Sequence, residues 1–110
     1  MIESAILAGL ISNDEYARKV LPFLKPDYFD HMSEKAVYNS ISEYVEKYNG
    51  LPTKEAVRIA MSEKDNLNEE QYRLVNTIID GMQYDEKTDV DWLVDKTEKF
   101  CQDKAIYNAV

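Results

Sequence analysis

Apolar residues at Ile2, Ile6 and Leu10, with Ala5 and Leu7 beside them, recur at the spacing of one helix face and predict a first helix ending around Ser12 and Asn13. Asn13 suits the cap of the next segment, DEYARKVL, whose Tyr16, Ala17, Val20 and Leu21 form one stripe until Pro22 halts it. Pro26 stands at a first helical position, and Asp27-Tyr28-Phe29 reads as one short turn carrying two aromatic anchors. Val37, Ile41, Tyr44, Val45 and Tyr48 then mark a long helix, with Ser33 as the expected N-cap and Gly50 as the expected left-handed stop. Thr53 is placed to cap a helix bearing Ala56, Val57, Ala60 and Met61. Asn68 is placed to cap another, whose face is Tyr72, Val75, Ile78 or Ile79, and Met82. A last helix starts near Asp89, and its apolar positions spread around more than one face.

No strand-period alternation and no repeat interrupts this pattern, so the expected fold class is all-α, a compact bundle of about five long helices with one or two short ones. The expected core includes Leu21, Phe23, Leu24, Tyr28, Phe29, Val37, Ile41 and Val45. Trp92, Leu93, Phe100, Ile106 and Tyr107 cannot all turn inward on one stripe, which makes them the candidate interface. The run KFCQDKAIYNAV reaches Val110 without a clear helix stop, so the sequence is expected to continue in a longer protein.

Composition narrows the function. At 110 residues and 45% hydrophobic the chain can close one modest core. Thirteen Lys and Arg against 21 Asp and Glu give a net charge of −8, which disfavours direct binding to a phosphate backbone. The lone Cys101 allows no internal disulfide, and a buried small hydrophobe is its simplest role. The opening run MIESAILAGLIS is too short to span a bilayer and has no basic leader, so neither a membrane span nor a signal peptide is expected there.

Candidate chemistry is sparse. Three widely separated glycines cannot build a phosphate loop, so no nucleotide cofactor is expected in this segment and no catalytic residues are assigned. Asp27, Asp30, His31 and Glu34 would make a metal site, or a small hydrolase, only if they converged in one pocket. The alternating acids of DEKTDVDW lack the glycine and glutamate of a calcium loop and read instead as helix N-terminal acids.

Three stretches together carry a resemblance: ESAILAGLI at Glu3 to Ile11, KVLPFLKPDYF at Lys19 to Phe29, and AVYNSISEYVEKYNGLPTKEAV at Ala36 to Val57. Their order and spacing resemble the N-terminal domain of replicative hexameric DNA helicases, the DnaB-like family. The run DWLVDKTEKFCQDKAIYNA adds to the likeness and points to the members from T-even-type bacteriophages. Glu34 stands where bacterial members usually carry a histidine, a departure from the bacterial pattern that leaves the resemblance to the phage members intact.

The resemblance implies a globular collar domain over residues 1–90 and the first helix of a truncated helical hairpin over 91–110, leading to a motor domain outside this sequence. It further implies a non-catalytic role in ring assembly and docking, with sister helicase subunits, a primase and a helicase-loading protein as partners in a phage replisome of the host cytoplasm. NTP and magnesium would belong to the motor. In that setting the proline-rich elbow from Val20 to Asp30 is structural: Leu21, Phe23, Leu24, Tyr28 and Phe29 plug the joint between the second and the long helix, and Pro22 and Pro26 fix its angle. A rival of another class is an independent acidic phage protein that mimics DNA or inhibits a host enzyme, supported by the charge of −8.

Overall fold

The computed structural model describes residues 1–109. Among them are six α-helices and one 3-10 turn, with no strand: α1 (Ile2–Ser12), α2 (Asp14–Val20), η1 (Pro26–Tyr28), α3 (Met32–Tyr48), α4 (Lys54–Ser62), α5 (Glu69–Gly81) and α6 (Val90–Ala109). The predicted boundary at Val110 lies outside the described residues.

The helix starts follow from local side-chain chemistry. Asn13 accepts from the Tyr16 amide at 2.9 Å and Thr53 from the Ala56 amide at 3.0 Å, each satisfying a donor that the first turn leaves unpaired. Asn68 and Gln71 form a reciprocal capping box at 2.8 and 3.0 Å. Asp89 accepts from the Trp92 amide at 3.2 Å and opens α6. The acids around it are thereby explained as turn and cap residues, since Asp85 likewise accepts from the Lys87 amide at 2.8 Å.

Two predicted boundaries are corrected. Ser33 lies inside the first turn of α3 and caps nothing; the N-cap is His31, whose carbonyl accepts from the Lys35 amide at 3.0 Å. The helix begins as soon as the chain leaves the buried Phe29, before the serine is reached. At the other end Asn49, not Gly50, takes the left-handed conformation, with φ 55° and ψ 36°. Asparagine tolerates that region better than other side-chain-bearing residues. Arg18 holds it there, donating to the Asn49 side-chain oxygen at 3.3 Å and its carbonyl at 3.2 Å.

Two sets of helices share one core. In one, α2 packs on α1 and α6, and α1 also packs on α6; in the other, α3, α4 and α5 pack on each other. The sets meet where α1 lies on α3, and again at η1, which touches both α3 and α6. The elbow therefore joins the halves. Phe29 is fully buried and stacks on Tyr38 of α3 at 5.3 Å between centroids and on Phe100 of α6 at 5.8 Å. Tyr38 also donates its hydroxyl to the Leu24 carbonyl at 3.2 Å. Of the predicted core, Leu24, Tyr28, Phe29, Val37 and Ile41 are buried, while Leu21, Phe23 and Val45 pack half-buried at its edge.

At the junction of α1, α2 and α6 the helices approach closely. A Cβ on Gly9 would lie 2.7 and 2.8 Å from the Tyr16 ring. That ring cannot retreat easily, because Tyr16 is fully buried and its hydroxyl meets Thr97 Oγ1 at 2.7 Å. Thr97 in turn donates to the Leu93 carbonyl at 2.7 Å, so the tyrosine is the donor in the first bond. The first half of α6 is thus built into the core. The radius of gyration, 13.4 Å, is that of one packed unit of this length, about 13 Å by size scaling.

Candidate protein-interaction surface

The residues singled out on α6 separate into two groups. Leu93 and Phe100 point inward with Thr97 and Cys101 and are buried, so they support the core instead of offering a surface. This corrects their assignment to an interface, and the cause is tertiary packing: the first part of α6 lies against α1 and α2, where Thr97 meets Tyr16 and Leu93 lies beside Gly9. Trp92, Ile106 and Tyr107 are 52%, 69% and 74% exposed. Trp92 stands at the start of α6 and the other two at its end.

The end of α6 lies against the elbow. Lys104 Nζ donates to Asp30 Oδ2 at 2.7 Å, and Asn108 Nδ2 donates to the Asp27 carbonyl at 3.0 Å. The Lys104 ammonium also sits 5.9 Å from the centroids of both the Phe100 and the Tyr107 rings, within cation–π range. Its hydrogen bond and charge hold the Asp30 carboxyl below the usual carboxylate range, and raise the lysine in return. The two hydrogen bonds join residues more than seventy positions apart, and no local motif announces them.

A second apolar area lies between α3 and α5. Met32 is 52% exposed and Leu74 40%, with half-buried Leu67 between the helices and Lys35 and Lys64 on the rim. Gln71 Nε2 lies 3.8 Å from the Met32 sulfur and bridges the groove.

The candidate metal residues do not come together. Asp30 is paired with Lys104, Asp27 and His31 are exposed, and Glu34 sits in the first turn of α3 with one carboxylate oxygen buried and unpaired. Among the described residues no three His, Cys, Asp or Glu side chains are grouped so as to hold a metal ion. Cys101 is buried, and desolvation pushes its thiol up to about 11, which suppresses the nucleophilic thiolate. Among the same residues no helix is long and apolar enough to cross a membrane.

No family model matches the sequence. A DnaB-like replicative helicase of Enterobacteria phage T4 is 34% identical to it over 104 residues, a span that covers 94% of this chain and 22% of the helicase. An aligned helical domain with its own core, at that identity and over so much of its length, makes the chain a relative of a phage DnaB-like replicative helicase, matching one segment of it and not the whole.

Proposed function

We propose that the chain is the non-catalytic N-terminal domain of a phage replicative DNA helicase, serving ring assembly and the docking of primase and helicase loader. The observation that carries this reading is the uneven coverage of the T4 likeness, nearly all of this chain against 22% of the helicase. The matched part here has no glycine-rich phosphate loop, so the NTP and magnesium chemistry of a helicase belongs to another domain of the parent protein.

The partners follow from what a helicase segment without a motor can contribute. Sister subunits meet it on the exposed apolar side chains of α6, Trp92, Ile106 and Tyr107. Primase and loader dock on the same globule, whose net charge of −8 keeps it off the DNA that the ring encircles. The setting is the phage replisome in the host cytoplasm.

Gel filtration of the chain mixed with the primase, and separately the loader, encoded by the same phage tests the docking half. Co-elution at micromolar concentration, lost when Met32 and Leu74 are replaced by serine, is the expected result. Independent elution of both partners from the parent helicase as well as from this chain would overturn it.

A further inference from the structure

Past Cys101, α6 gives up its burial. Residues 102, 103 and 105–109 are exposed, and Lys104 alone is half-buried. A helical stretch so weakly covered opens readily unless side chains tie it down. Here two ties exist, one turn apart on one face: Lys104 to Asp30 and Asn108 to the Asp27 carbonyl. Both reach the same rigid object. Asp27 lies within η1 and Asp30 directly follows Phe29, which is fully buried between α3 and α6. The anchor is fixed by the core, and the arm by the anchor.

We infer that Lys104 and Asn108 latch the last two turns of α6 to the elbow and so set the angle at which Ile106 and Tyr107 are presented. This extends the elbow's role, from joining α2 to α3 to aiming the C-terminal part of α6. The charges around the latch are few. His31 and Lys35 lie near Asp30, and Glu3 and Tyr107 near Lys104, and of the charged neighbours only Asp30 and Lys104 come within ion-pair distance of each other, at 2.7 Å. Resting on the assembly reading above, Lys104, Asp30 and Asn108 are positioning residues for a contact made by their neighbours.

Hydrogen exchange followed by NMR on the 110-residue chain tests the latch without any partner. In Lys104→Met or Asn108→Ala the amides of residues 104–107 lose protection about twofold to fivefold, the worth of one surface contact, and the double variant loses more. Lys104→Arg keeps the wild-type pattern, and raised salt weakens the lysine tie alone. The amides of Ile6, Tyr16 and Ile41 stay unchanged throughout. Unaltered protection in the double variant would overturn the latch, and so would an equal loss in the core, which would make Lys104 a general stabiliser. Neither result bears on whether the chain assembles, and failure of assembly would leave the latch standing.

Discussion

Phe29 and His31, two positions apart, illustrate how unequally residues of the elbow contribute. Phe29 is fully buried between two aromatic rings, and Phe29→Ala is expected to cost about 3–5 kcal/mol, the range for emptying a buried aromatic site. His31 is exposed and makes no side-chain cap, so His31→Ala is expected within about 0.5 kcal/mol of wild type. Denaturant midpoints of the two variants decide between this picture and a metal site, which would reverse the order. Gly9→Ala, normally favourable in a helix, is expected to destabilise by about 1–3 kcal/mol, because the new methyl meets a tyrosine ring pinned by Thr97. Cys101 gives a pH dependence. Its thiol titrates near 9.0 in an exposed setting and about 11 when folded, so the unfolded chain loses the proton first. The stability this contributes is complete below the lower value and is lost as pH rises through the higher one. Midpoints measured at about pH 8 and about pH 10.5 should fall less in Cys101→Ala than in wild type; an equal fall would count against a buried thiol.

Most of the helices were legible because their ends are chemical. Asn13, Thr53 and Asn68 bond where their side chains predict, and removing the cap with Asn68→Ala should cost about 1 kcal/mol, read from the thermal midpoint, whereas Ser33→Ala should cost less. The misplaced boundaries have a common cause. Ser33 and Gly50 carry the right local preference, yet burial of Phe29 starts α3 earlier, and Arg18 from another helix stabilises Asn49 in the left-handed state. Periodicity likewise showed that α6 has apolar side chains on several faces, but not which of them the body covers. Leu93 and Phe100 went inward because α1, α2 and η1 lie along that side, a fact of tertiary packing. The Lys104 and Asn108 contacts were invisible for the same reason: charged and amide side chains on an exposed helix have many possible partners, and only the folded elbow selects Asp30 and Asp27.

The whole molecule is an acidic helical body with exposed apolar side chains on its last helix and no group of three His, Cys, Asp or Glu side chains placed to hold a metal ion among its described residues. Alone, it is expected neither to hydrolyse nucleoside triphosphates nor to bind single-stranded DNA at physiological salt; saturable binding of a labelled oligonucleotide at micromolar protein would refute this. We place ring assembly beyond what these residues carry alone. A single helix with Ile106 and Tyr107 at its end offers too little surface to close a ring by itself. Sedimentation velocity over a concentration series, run on the 110-residue chain and on the full product of its gene with nucleotide, measures this most directly. A monomer or weak dimer is expected for the first and a hexamer for the second. A stable hexamer from the 110 residues alone would contradict the placement of assembly on α6, and a full-length product that stays monomeric with nucleotide would contradict the helicase reading itself.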